Sequence, residues 1–232
     1  MQATRIIVVR HGETAWNVDT RIQGQLDIPL NEKGRWQAQR LARALAASET
    51  VAALYCSDLL RAWDTAQSIT ESMGLRSISA PGMRERTFGS FEGKTFVELE
   101  AAWPLETARW RERDPDWAPP GGECLKDFRE RVLRTTYELG ARHVGEQIVL
   151  VAHGGVLDVL YRHALGLELQ ATRTWELGNT SINRILWTPQ GLSIVGWSDT
   201  SHLDDEWFDD VSAAPGHPTQ ALTAASRARI LP

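Results

Sequence analysis

The sequence predicts an α/β protein, a three-layer α/β/α sandwich around a mostly parallel central sheet. Three observations predict it. Short β-branched runs such as Arg5-Ile6-Ile7-Val8-Val9 stop abruptly in polar residues, as strands buried on both faces do. These runs alternate with longer stretches of helical period. A chain of 232 residues that is 42% hydrophobic and 24% charged can bury the core such a sandwich needs.

The elements follow in order. Arg5 to Val9 is the first strand. Irregular chain then runs through Gln23-Gly24 and Pro29. Asn31 caps a helix whose apolar positions include Leu41 and Leu45. Val51 to Cys56 reads as a second strand, Leu59 to Met73 as a helix, and Arg76 to Ser79 as a weak third strand. From Phe88 to Gly122 glycines and prolines interrupt the pattern, with a helical stretch between them. This segment reads as a lid-like excursion. Glu123 to Arg142 is a long helix. Gln147 to Ala152 is the clearest buried strand, and a helix after it reaches about Leu165. Asn183 to Thr188 and Leu192 to Trp197 form a hairpin across Pro189-Gln190-Gly191. Its edge could pair across a homodimer, although nothing in the sequence requires that. Residues 1–212 read as one domain, and 213–232, rich in Ala, Pro, Ser and Thr, as a loose tail.

Bulk properties exclude several classes. The net charge is -5 and the basic residues are scattered, so no nucleic-acid partner is expected. The only cysteines, Cys56 and Cys124, form no CxxC pair, which suits a reduced cytoplasmic compartment. The apolar run Ile6 to Val9 is too short for a signal segment, and no stretch approaches the ~20 residues of a membrane span, so no membrane association is expected.

In open parallel sheets the ligand crevice lies beyond the carboxyl ends of the strands. Arg10-His11-Gly12-Glu13-Thr14 follows the first strand, Ser57-Asp58-Leu59-Leu60-Arg61 the second, Arg84-Glu85-Arg86 the third and His153-Gly154-Gly155 the strand ending at Ala152. Histidines, arginines and a carboxylate thus meet at one edge. Arginine forks grip phosphate oxygens and stay charged. Gly12, Gly154 and Gly155 allow close backbone approach to an oxyanion. A neutral imidazole can attack phosphorus, and Glu85 can protonate a departing alkoxide and then deprotonate water. His11, His153 and Glu85 could instead ligate a metal, but Arg10 and Arg61 would repel a cation there and no HxxxH or HExxH spacing occurs. No metal and no cofactor are expected.

These residues resemble the signature of the histidine phosphatase superfamily, in its phosphoglycerate-mutase-like branch. The match runs through Arg10-His11-Gly12-Glu13-Thr14 with Trp16-Asn17, Gln23-Gly24, and Pro29-Leu30-Asn31 with Gly34. It continues in Ser57-Asp58-Leu59 with Arg61-Ala62 and Thr65-Ala66, and in His153-Gly154-Gly155, covering about residues 5 to 203. The resemblance implies the phosphoglycerate-mutase-like fold and a small phosphorylated metabolite as substrate. It implies that His11 carries the phosphoryl group, that Arg10, Arg61 and His153 form the phosphate pocket, and that Glu85 is the proton donor. Asn17, Gln23, Gly24, Thr14, Gly154 and Gly155 would touch phosphate or substrate. Ser201-His202-Leu203 resembles the carboxyl end of bacterial mutase-like phosphatases.

Other residues have plainer readings. Glu92 competes with Glu85 as the acid. Glu13 orients the pocket or pairs with an arginine. Cys56 packs in the core, and His143, His163 and His217 are structural or solvated, while His202 packs near the site or anchors the carboxyl end. Trp103, Trp110 and Trp117, seven apart, read as packing, with lining of a substrate mouth as the alternative. Arg109, Arg111 and Arg113 interleave with them and read as solvated, with recognition of a substrate carboxylate as the alternative. The segment from Glu85 to His153 lacks the long arginine-rich insertion associated with mutases, so transfer to water is favoured over phosphoglycerate mutase chemistry. A catalytically inactive binding module is the remote alternative, disfavoured because every expected catalytic residue is present.

Overall fold

The computed structural model describes residues 2–204. Strand β1 (Thr4–Arg10) is followed by the one-turn helix α1 (Ala15–Val18), which Thr14 and Asn17 cap reciprocally. Helix α2 (Glu32–Ser48) starts at Asn31, whose side chain accepts the Gly34 N–H at 2.7 Å. Then come β2 (Ala53–Cys56), α3 (Leu60–Met73) and β3 (Ser77–Ser79). Helix α3 stops at Gly74, whose φ of 66° supplies the left-handed cap. Helices α4 (Phe96–Ala102) and α5 (Pro104–Arg111) lie in the 88–122 segment. The chain continues with α6 (Leu125–Arg142), β4 (Gln147–Ala152), α7 (Gly154–Ala164), and the hairpin β5 (Ile182–Thr188) and β6 (Gly191–Asp199).

The strands form one sheet in the order β3-β2-β4-β1-β5-β6. The first four run parallel, and β5 and β6 add on antiparallel beside β1. Because successive side chains alternate across a strand, Ile6 and Val8 of β1 and Ile148 and Leu150 of β4 pack on one face, with Phe128 and Val132 of α6 and Val156 and Leu160 of α7. Ile7, Val9, Val149 and Val151 pack on the other, with Leu41 and Leu45 of α2 and Ala62, Ala66 and Ile69 of α3. The expected sandwich and mostly parallel sheet are therefore present. Cys56 is part of the second core, where burial pushes its thiol pKa up to about 12.

Element ends shift slightly, for local reasons. The second strand begins at Ala53, after Ala52 has made a single backbone bond to Gln147 O. Glu123 stays outside α6 because Cys124 is extended and its Sγ accepts the Asp127 N–H, which makes Cys124 the cap. In the 88–122 segment, Phe91 is buried among Trp103, Trp110 and Trp117, with ring centroids 5.8–5.9 Å away, which is the packing reading of that stripe. Arg109 and Arg111 pair with Asp114 and Glu100 near the surface. Arg113, expected to be solvated, is not. The chain turns there through a φ of 54°, and its guanidinium donates to the Leu169 carbonyl and, at 2.7 Å, to Asp158 of α7. Asp158 also holds the buried Arg162 at 2.9 Å, so the segment is tied to the helix that follows His153. His143 bonds Tyr55 and Glu146, and His163 bonds Tyr137. His217 and the tail expected over 213–232 lie outside the described residues. No helix among the described residues is long and apolar enough to cross a membrane.

Candidate active site

The parallel strands point their carboxyl ends the same way, and the ladder pairs Arg10 with Ala152 and Cys56 with Val151. Beyond these pairs the bonds continue, with His11 N donating to Ala152 O and Ser57 N to Val151 O, each at 3.0 Å. This register brings His11, Ser57 and His153 together although they are far apart in sequence.

His11 is 3% exposed, and its ring centroid lies 5.2 Å from that of His153. Its Nδ1 is 2.7 Å from the Gly12 carbonyl oxygen. A carbonyl can only accept, so the hydrogen sits on Nδ1 and Nε2 keeps a free lone pair. Burial, then the charges of Arg61 and Arg10, hold the His11 pKa well below the usual histidine value, so the ring is neutral near pH 7. The loop is tightly seated. Gly12 N donates to Thr65 Oγ1 at 3.0 Å, and a Cβ on Gly12 would stand 2.4 Å from the Gly34 carbonyl oxygen.

Arg61, near the start of α3, is 1% exposed. Its Nη1 and Nη2 donate to Leu26 O (2.8 Å) and Gly24 O (2.7 Å). Burial lowers its pKa to about 10, which leaves it charged at neutral pH. Arg10 donates from Nη1 to Leu177 O. His153 is wholly buried, with Nε2 2.8 Å from Ser57 Oγ. Burial, then Arg61, His11 and Arg10, pushes its pKa well down, so it too is neutral. Arg10 Nε, Arg61 Nε and His153 Nδ1 are buried without a protein partner. Buried polar atoms are normally satisfied. Orphans on three residues of one crevice, two of them cationic donors, suit an anion that brings its own oxygens.

Glu85 reaches the same edge. Its Oε2 accepts Gly155 N at 2.9 Å and its Oε1 accepts Arg86 N at 2.8 Å. A Cβ on Gly155 would fall 2.2 Å from Glu85 Oε1, so any larger residue there would push the carboxylate off its bond to Gly155 N. The loop beneath is held by Arg131, which donates to Gly82 O and Arg84 O, and by the Arg84–Asp58 pair at 2.6 Å. Glu92 is committed elsewhere: its Oε1 accepts from Gln25 N, Thr87 Oγ1 and Phe88 N. Glu13 pairs with Lys33 and Asn31 rather than with an arginine.

The remaining expected contacts divide. Gln23 is buried with Oε1 unpartnered, and Gly24 offers its carbonyl to Arg61. Asn17 Oδ1 accepts Thr14 N at 3.0 Å, with Asn179 Nδ2 3.4 Å away. The Thr14 hydroxyl is fully buried and caps α1. A Cβ on Gly154 would meet Arg10 Nε at an ordinary 3.6 Å, so crowding does not demand glycine there. His202 packs by α2, where Arg40 Nε donates to its carbonyl. Sequence reasoning missed Asn179, whose Nδ2 donates to His11 O at 2.9 Å, and Arg131. Both sit mid-segment with no motif around them. Ser57 and Thr65 do fall within motifs, but only their contacts to His153 and Gly12 N give them a role.

A sheet edge with two neutral histidines, two buried-site arginines and a carboxylate defines a phosphoryl-transfer class of protein. The chain belongs to the histidine phosphatase superfamily, branch 1, whose profile matches residues 6–200. It is similar to phosphoglycerate mutase-like protein 4 of Arabidopsis thaliana, 38% identical over 88% of each chain. It is also similar to the metal-independent phosphoserine phosphatase of Arabidopsis thaliana, 36% identical over 89% of this chain and 86% of that one. Among solved structures, mycobacterial glucosyl-3-phosphoglycerate phosphatase superposes with a TM-score of 0.77 at 33% identity, over 86% of this chain and all of the other.

Proposed function

We propose that the protein is a metal-independent phosphatase that hydrolyses small phosphate monoesters through a phosphohistidine on His11. The observation that carries this reading is the His11–Gly12 carbonyl bond, which leaves the Nε2 lone pair of a neutral ring free beside residues whose orphan donors suit phosphate. Nε2 attacks phosphorus, the ester P–O bond breaks, and the Glu85 carboxyl gives its proton to the departing alkoxide. Water then attacks the phosphohistidine, the N–P bond breaks, and Glu85 takes the proton that water releases. Arg10, Arg61 and His153 hold the phosphoryl oxygens. Residues 88–122 cap the crevice mouth and select the rest of the ester. That reading is supported by the Glu92–Gln25 bond and by Gln25 Nε2 donating to Glu85 O. The names of the relatives favour substrates that carry a carboxylate beside the phosphate, such as phosphoserine or a phosphoglycerate.

The test is hydrolysis of p-nitrophenyl phosphate and a panel of phosphorylated metabolites with and without EDTA, plus trapping of phosphohistidine by alkaline quench. Activity should survive EDTA, and His11→Ala should lose both turnover and label. Glu85→Gln should slow alkyl phosphates by about 10²- to 10⁴-fold, and p-nitrophenyl phosphate, whose leaving group hardly needs a proton, much less. No label at any pH, or loss of activity with EDTA, overturns the proposal. Conversion of 3-phosphoglycerate to 2-phosphoglycerate without free phosphate would make the protein a mutase.

A further inference from the structure

The phosphohistidine reading leaves a question open: two buried neutral histidines stand side by side, and only one is the nucleophile. We infer that Ser57 is a positioning residue that holds His153 as the Nδ1–H tautomer, so that His153 donates to the phosphoryl group and cannot compete with His11 for phosphorus. The inference rests on that reading, and it comes from counting hydrogens.

Ser57 and His153 are both fully buried. Ser57 Oγ accepts the Leu59 N–H at 3.3 Å and lies 2.8 Å from His153 Nε2. A hydroxyl has one hydrogen to give, and a buried one that gives it to nothing is costly. Among the described residues, His153 Nε2 is the acceptor the structure provides for it. Nε2 therefore accepts, and the hydrogen of a neutral ring must sit on Nδ1. That atom is buried without a protein partner, as a donor meant for a ligand oxygen would be. The placement is rigid, because Ser57 N is bonded to Val151 O, on the strand that ends at His153. Burial and the nearby arginines keep the ring from taking a second proton.

His11 shows the opposite outcome from the same tautomer. Its Nδ1–H is spent on the Gly12 carbonyl, so the nitrogen left for the substrate is the Nε2 lone pair. In His153 the Nε2 lone pair is spent on Ser57, so the atom left over is an N–H. One ring attacks phosphorus and the other binds its oxygens, and a carbonyl and a hydroxyl make the division.

The full chain labelled with ¹⁵N-histidine tests this by NMR in the resting state. The His153 proton is expected on Nδ1 with Nε2 unprotonated, and a proton on Nε2 overturns the inference without any variant. Ser57→Ala should give a mixture of His153 tautomers. It should also lower kcat/KM for p-nitrophenyl phosphate by about 10- to 100-fold, the loss seen when an outer partner orienting a metal-bound histidine is removed. Most of the loss should fall in kcat, and Ser57→Thr, which keeps the hydroxyl, should recover both tautomer and rate. A Ser57→Ala protein with wild-type rate and an unchanged His153 spectrum also overturns the inference. Failure of the wild type to form any phosphohistidine instead sinks the parent reading, and the resting-state spectrum still decides the tautomer.

Discussion

The residues that make the site are expensive to bury, and the expense is expected to show in the pH dependence of stability. His11 and His153 are held neutral in the fold, their pKa values pushed well below the ordinary 6.5 by burial first and by arginines second. In the unfolded chain each takes up a proton near its ordinary value. Below that value the unfolded state binds more protons than the folded state, so stability is full above pH 6.5 and is lost as pH falls toward the depressed folded values. Each histidine adds a slope of up to about 1.4 kcal/mol per pH unit in that window. Thermal unfolding should therefore show Tm falling between about pH 7 and 5, before most carboxylates titrate. The His11→Asn, His153→Asn double variant should flatten that decline, and an undiminished slope in it would refute the assignment. This cost was legible in the motifs only as residue identity. Their spacing says that histidine follows a strand, but not that two histidines share one buried site with Arg61.

At the scale of elements, the site depends on a loop and a helix that touch through bare backbone. A Cβ on Gly34, in the first turn of α2, would stand 2.0 Å from Glu13 O, and one on Gly12 would stand 2.4 Å from Gly34 O. The clashing atoms are backbone, so neither side can yield cheaply. Gly34→Ala should lower stability by about 1–3 kcal/mol, as overpacking does, measured as a drop in the urea midpoint at constant m-value. An unchanged midpoint would show that the two backbones have room to part. Gly34 was legible as part of a motif, but its reason was not, because the partner Glu13 precedes it across an irregular stretch whose path no periodicity describes. Strand and helix identities were legible, since β1 and β4 are apolar on both faces and their alternation sends Ile6 and Ile7 to opposite layers. The second strand and α6 begin later than their hydrophobic pattern suggests, because Ala52 makes only one backbone bond, to Gln147, and Cys124 turns extended to cap the helix, neither of which periodicity encodes.

At the scale of the whole molecule, the sheet is a rigid platform and the 88–122 segment a smaller cluster fastened to it. Phe91 is the centre of that cluster, touching three tryptophans, whereas the sheet cores contain none of these four side chains. Phe91→Ala should cost the segment about 3–5 kcal/mol and act locally. Hydrogen exchange should speed up over 88–122 while the amides of β1 and β4 stay protected, and equal loss in both would show that the cluster and the sheet unfold together. The sequence by itself determined the layered α/β class, the strand ends that carry Arg10, His11, Arg61 and His153, and the family those motifs match, because hydrophobic period and short motifs are local properties of a chain. Only the tertiary structure decided that Arg113 clamps Asp158, that Glu92 pins a loop while Glu85 reaches Gly155, and which nitrogen of each histidine lies against a protein partner. Most of those pairings join residues dozens of positions apart, Arg113 with Asp158, Glu85 with Gly155 and Ser57 with His153, and they exist only once the sheet has set its register.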